Sequence, residues 1–356
     1  MDVDVTQVGA ESEKTKNTET AAWENPLIPN ARLRQIYRSM AQARALEKAL
    51  PAARRARAVD PSAKAKGTFG LEAALVSAAV DLGAGDLVSD ALAGGVVDYL
   101  RGTALGEVLR AGKADASRRS RRSGTGVGGR SAECGAAGRL PGTADAAERI
   151  WAALGAAAAL KAAAAQARIE AQSTVKDKAE ASATESATAA RQAGAVVVYA
   201  LADEVPAGLW KKALRFAADQ ELPVVFVALP AARARDGRAR AAAKAGGVSA
   251  LARGCGVPAI AVDADDAVAI YRVAQESIGH ARIGGGAALI ECVPFVLVGL
   301  AGKVRVTEDA IAGLERYMLQ RGVATGAWME REAKAFAKRL ARQTAEAGKR
   351  DCKSSA

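Results

Sequence analysis

Apolar residues recur at helical spacing over 30–50, where Leu33, Ile36, Tyr37, Met40, Ala43 and Leu46 fall near a 3.6-residue period. The pattern predicts a helix with Asn30 as its cap and Pro51 at its end. Shorter helical patterns cover 70–82 and 105–114, and "DLVSD" (86–90) reads as a short strand or extended piece. Residues 147–167 form a long alanine-rich helical stretch, in which Gly155 is expected to mark a close helix contact. From 195 onward the pattern alternates. Strand 195–201 leads into helix 207–219, with Pro206 suited to its first turn. Strand 223–229 is a continuous apolar run of the kind buried on both faces. A polar, then weakly helical stretch (234–256) precedes strand 258–263, helix 265–283 and strand 287–293. Two helical segments follow, "TEDAIAGLERYMLQRG" and "TGAWMEREAKAFAKRLARQTAEAG". This order predicts an α/β fold with a mostly parallel sheet and helices on both faces.

The intervening segments lack such patterns. Residues 1–22 read as a disordered polar tail, 23–345 as a single domain and 346–356 as a second tail. Within the domain, 114–143 reads as a glycine- and arginine-rich loop. Residues 168–192, poor in large apolar side chains, read as an exposed low-complexity insertion, helical or disordered.

Composition sharpens this picture only in part. Of 356 residues, 50% are hydrophobic but only 4% aromatic, so the core must be assembled from many small side chains. The net charge is +11, concentrated in "RRSRRSGTGVGGR" (118–130). That cluster lacks interleaved aromatics and any recognised nucleic-acid module. A solvated loop or a contact to an acidic partner fits it better than a nucleic-acid interface. The glycines at 124–129 follow arginines rather than a strand, which removes the context a phosphate-cradling loop requires. One histidine, His280, and four unpaired-looking cysteines argue against a zinc site and for reduced thiols, as in the cytoplasm. The longest apolar run, "GGAALIECVPFVLVGLAG", is broken by Glu291 and Pro294 and reads as a buried strand and its continuation, not a membrane span.

Four stretches carry a resemblance to a known family: "LRQIYRSMAQARALEKAL", "GTFGLEAALVSAAVDLGAGDLV", "ALRFAADQELPVVFVAL" and "CGVPAIAVDADDAVAIYRVAQESIGHARIGGGAALIECV". Their order, length and spacing resemble the α subunit of the E1 component of thiamine-diphosphate-dependent 2-oxo acid dehydrogenases, of the pyruvate and branched-chain type. The resemblance runs from about 30 to 345. It implies the thiamine-diphosphate-binding fold, with thiamine diphosphate and Mg²⁺ as cofactors. It also implies an E1-β-like partner in a hetero-oligomer such as α2β2, and a lipoyl-bearing acyltransferase as acyl acceptor. The implied reaction is oxidative decarboxylation of a 2-oxo acid with acyl transfer to lipoyl.

Residue by residue, the chemistry the resemblance implies is missing. The family's Gly-Asp-Gly metal turn falls on Leu201, Ala202 and Asp203, and its asparagine on Pro206. Its Glu-Asn-Asn turn falls on Leu229, Pro230 and Ala231. Leu92 and Ala93 stand for a Tyr-Arg pair, Gly95 and Val97 for histidines, and a later histidine falls near Leu300. Magnesium needs oxygen ligands, which Ala, Leu and Pro side chains cannot supply. Matching structural positions remain at Gly70, Glu72, Arg101 and Gly102. Asp203, Glu204 and Gly208 are residual cofactor-site positions. No catalytic residue and no metal ligand is assigned.

Other signals have ordinary readings. Asp265 or Asp266, in "VDADDA", caps the following helix. His280 faces a helix C-terminus. Asp203 and Glu204 read as acids favouring a helix N-terminus. The sequence thus leads to a divergent E1-α-like subunit with a degenerate cofactor site. The rival readings are a catalytically inactive interaction protein that retains the fold, and a basic nucleic-acid binder acting through 118–130.

Overall fold

The computed structural model describes residues 27–50, 71–89, 95–109, 138–140, 145–175, 194–230, 247–294, 297–298, 304–305 and 309–354. The 1–22 tail, Gly70, the arginine cluster, Leu92, Ala93, Ala231, Leu300, and most of the 114–143 loop and 168–192 insertion lie outside these residues.

The element order is α1 (Asn30–Ala49), α2 (Glu72–Ser77), β1 (Leu87–Ser89), α3 (Val96–Leu100), α4 (Ala146–Val175), β2 (Val196–Leu201), α5 (Ala207–Asp219) and β3 (Val224–Leu229). There follow α6 (Val248–Gly254), β4 (Ala259–Asp263), α7 (Ala267–Arg282), β5 (Ala288–Val293), β6 (Leu297–Val298), β7 (Val304–Arg305), α8 (Ala310–Gln320) and α9 (Gly326–Ser354). β1 to β5 form one parallel sheet in the order β1-β2-β3-β5-β4, and β6 and β7 pair as a small antiparallel ribbon. Segment 138–140, inside the expected loop, is drawn into the sheet. Val88 N–H donates to Gly138 and Leu140 N–H to Val88. Because neighbouring residues of β1 face β2, this bridge lies on the outer side of β1.

The alternation of side chains along β2 and β3 divides the core in two. Val197, Tyr199, Leu201, Val225, Val227 and Leu229 face a layer built from α1, α2, α3, α7, α8 and α9. Val196, Val198, Ala200, Val224, Phe226 and Ala228 face α4, α5 and α6. The connections explain this partition. Steps β1→β2→β3→β4 run one way across the sheet and place α4, α5 and α6 on one face. The return step β4→β5 places α7 on the other, as right-handed crossovers require.

Several local expectations change. Asn30 is the first helical residue of α1, after an extended Pro29, and makes no side-chain cap bond. Pro206 likewise sits just before α5, extended at φ −57° and ψ 141°. A Cβ at Gly155 would meet nothing within 4 Å, so this glycine marks no close contact. α4 continues through Val175, and the described start of the low-complexity stretch is therefore helical. α9 likewise runs past 345 to Ser354. By length and hydropathy, Ala146–Glu170 of α4 would suit a membrane span. Its Ala146, Ile150, Ala153, Leu154 and Ala157, however, are buried against the sheet.

Buried carboxylates fasten the helices to this sheet. Asp86 (2% exposed) accepts from Gly83 N–H (2.6 Å), Ala195 N–H (2.9 Å) and the Arg282 guanidinium. It thereby ties the entry to β1, the entry to β2 and the end of α7. Arg101 binds the same turn through the carbonyls of Gly83 and Asp86. Tyr199 O–H donates to Leu75 O (3.0 Å) and fixes α2 to β2. At the periphery, Arg38 pairs with Glu332, and Arg44 with Glu72 and Asp309.

Asp86→Ala strips three donors of a buried acceptor and is expected to cost at least ~2 kcal/mol in chemical denaturation. The exposed Asp219→Ala should stay within about 0.5 kcal/mol. Hydrogen bonds from Arg44 and Arg38 hold Asp309 and Glu332 below the usual carboxylate range. The unfolded chain therefore takes up these protons first on acidification. The stabilisation is present above the ordinary carboxylate pKa of about 4 and is lost as pH falls through the lowered folded values. Glu332→Gln should flatten the acid limb of a stability–pH curve, leaving its neutral limb at nearly the same slope.

Candidate functional site

All five strands run the same way, so their carboxyl ends share one edge, the usual place for a ligand in an open α/β sheet. Ser89, Ala202–Pro206, Pro230, Asp263–Asp266 and Pro294 are the described residues there. Segments 90–94 and 231–246 continue from β1 and β3 beyond the described residues.

The turn after β2 is fixed by Ala202 N–H to Leu229 O (2.9 Å) and Glu204 N–H to Leu201 O (3.1 Å). Asp203 points outward and is exposed. Glu204 does not serve α5, whose first turn holds no acid. Its Oε2 instead lies 2.7 Å from the Arg149 guanidinium, which is 1% exposed at the start of α4. The expected helix-dipole role of Glu204 is thereby replaced by an ion pair between α4 and the β2 turn, because a buried guanidinium requires an anion more than a solvated helix end does. Gly208 lies exposed in the first turn of α5, with open space where a Cβ would be. Pro230 is buried. Asp203, Glu204 and Gly208 therefore share one turn–helix junction without converging on a common point.

The remaining acids of the edge belong to turns and caps. Asp263 accepts from Asp265 N–H (3.1 Å), and Asp266 caps α7 by accepting from Val268 and Ala269 N–H, as the sequence suggested. Glu291, inside β5, reaches the start of α6, accepting from Val248 and Ser249 N–H at 2.9 Å each. A Cβ at Gly247 would lie 2.5 Å from that carboxylate, so a larger residue there would force Glu291 to shift from these two N–H groups. Burial pushes the neighbouring Cys292 thiol up to about 12, so it stays protonated and unreactive at neutral pH.

Of the family-matching positions, Glu72 is 2% exposed and held bidentately by Arg44 at 2.8 and 3.1 Å. Arg101 is bound to the turn before β1. Gly102 takes φ +96°, which favours glycine. His280 lies in the last turn of α7, its ring against Gly285, as a helix-end residue and not near the strand edge. Arg149 and Glu291 were missed by sequence reasoning. Arg149 was visible as a charge on the buried face of α4, four residues before Ala153.

Around the ends of β2 and β3, the described side chains offer a divalent ion one exposed carboxylate, Asp203. Among the described residues no three His, Cys, Asp or Glu side chains gather in metal-binding geometry. This donor set does not fit a magnesium-bound diphosphate, which calls for several oxygen ligands around the ion.

Similarity to known proteins nevertheless runs through this part of the chain. The α subunit of acetoin:2,6-dichlorophenolindophenol oxidoreductase from Bacillus subtilis (strain 168) is 31% identical over 126 residues. The match covers 32% of this chain and spans only 38% of that relative's length. The family model "Dehydrogenase E1 component" matches residues 157–354, from α4 through the sheet to α9. With the parallel sheet and its two helical layers in agreement over that span, the chain belongs to the dehydrogenase E1 component family.

Proposed function

We propose that this chain is an α-type E1 subunit that holds a β-type partner in a 2-oxo acid dehydrogenase assembly, while its own half of the metal–diphosphate site is degenerate. The observation that carries this reading is the fate of the β2 turn. Ala202 and Pro206 supply no ligand, and the glutamate that remains there neutralises a buried arginine. The family's chemistry, oxidative decarboxylation with acyl transfer to a lipoyl group, would then depend on residues of the partner or of another α chain in the assembly. The outer surface of α4 and α5 supports the partner role. Trp151 and Phe216, each 42% exposed, stack edge-on at 6.1 Å beside an alanine-rich helical face. The B. subtilis relative is itself a subunit alpha.

Titration calorimetry of the purified chain with thiamine diphosphate is expected to show no Mg²⁺-dependent binding. Clear Mg²⁺-dependent binding overturns the degenerate-site reading. Activity of a co-purified complex, measured before and after depletion of this chain, separates a required subunit from a bystander.

The two ends of the Arg149–Glu204 pair should respond unequally. Glu204→Gln removes the carboxylate 2.7 Å from a buried guanidinium and is expected to cost roughly 3 kcal/mol in chemical denaturation. Arg149→Met leaves a carboxylate that water can reach and should cost clearly less. Equal, small effects would mean that Glu204 is not a structural strut.

A further inference from the structure

A second concavity lies away from the strand edge, between α1, the turn that follows α3, and α9. It encloses about 560 Å³, and Ser39, Gln42, Thr103, Arg339, Arg342 and Gln343 are its polar walls. That is within the range of small-molecule sites, about 300–1,000 Å³. Its lining includes two arginines and no acid.

The donors are arranged in a particular way. Arg339 is held in place by stacking on Phe336 (5.3 Å) and Tyr99 (5.7 Å), and it donates to the Tyr99 hydroxyl. Arg342, one turn along α9, keeps its side chain 69% exposed, and its Nε is 3.9 Å from Glu346, beyond hydrogen-bond reach. The Gln343 amide donates to the other oxygen of Glu346 at 3.0 Å, so that carboxylate is shared between Gln343 and its long ion pair with Arg342. Across the cleft, Gly102 at φ +96° turns the chain so that Thr103 enters the wall. Thr103 is only 7% exposed, and its hydroxyl has no hydrogen-bond partner. A buried hydroxyl left in that state costs ~1–3 kcal/mol; its oxygen is fully covered, so a turn of the Thr103 side chain toward the cleft is what would let a ligand oxygen relieve that cost.

Two guanidinium groups and an unanswered hydroxyl, with no carboxylate in the lining, select for a ligand rich in acceptor oxygens. We propose that this cleft binds a small anion bearing phosphate or carboxylate oxygens, gripped by Arg342 and Arg339, with the Thr103 hydroxyl turning toward the cleft as a third donor. The site is independent of the fate of the strand edge.

The test is binding of inorganic phosphate and, separately, of succinate to the full chain at constant ionic strength, by calorimetry and thermal shift. At least one anion should bind, and the stronger of the two identifies the natural ligand as phosphorylated or as a dicarboxylate. Arg342→Gln should weaken that binding about tenfold, the effect of losing one charge-assisted contact. Lys334→Gln, on an exposed side chain of the same helix outside the cleft, should leave it unchanged. Thr103→Val should fold as well as the parent and lose part of the anion-induced thermal shift. Binding of neither anion, or equal weakening by Arg342→Gln and Lys334→Gln, overturns the proposal.

Discussion

β2 and β3 have no solvent-facing side. Every residue from Val196 to Leu201 and from Val224 to Leu229 is buried, so the sheet exists only if helices are docked on both of its faces at once. The order of the strands meets this requirement by reversing direction once, between β4 and β5. Without that return step α7 would join α4, α5 and α6, and the face bearing Val197, Tyr199 and Val225 would lack its central cover.

Few large side chains are available for this work. Many core positions of α2, α4 and α7 are alanine, and each contributes less buried area than a leucine would. Directional polar contacts make up the difference in positioning. Asp86 joins two strand entries to α7, Glu291 closes the start of α6, Glu72 holds α1 through Arg44, and Glu204 accepts the buried Arg149. Each of these carboxylates is therefore committed to the scaffold. A protein that uses its acids as struts has fewer of them left to hold a metal, and among the described residues at the ends of β2 and β3 that leaves Asp203.

Strands β2 to β5 and the helices α5 and α7 were legible because their apolar patterns are strong and bounded by proline, glycine or a capping aspartate. Asp266 was legible for the same reason: an N-cap is a local device. α4 was harder to delimit, since an alanine run has high helix propensity but little periodicity to show where the helix ends. Gly155 was misjudged because glycine signals close approach only when something approaches. Glu204 was misjudged because its partner, Arg149, is 55 positions earlier in the chain, and an acid ahead of a helix looks the same whether it serves the dipole or a distant guanidinium. The cleft around Thr103 and Arg342 was invisible for a similar reason, as its walls come from segments some 240 residues apart.

The alanine bias has a second consequence, at the surface. An exposed alanine has no side-chain rotamers to lose on docking, whereas a lysine or glutamine forfeits up to about 2 kcal/mol when it is ordered. The outer face of α4, with Trp151 and Phe216 at its edge, can therefore be covered by another chain at small entropic cost and with close backbone approach. Composition that makes the interior depend on polar struts also makes the exterior easy to cover. A scaffold built this way keeps its fold whether or not the turn after β2 retains any chemistry.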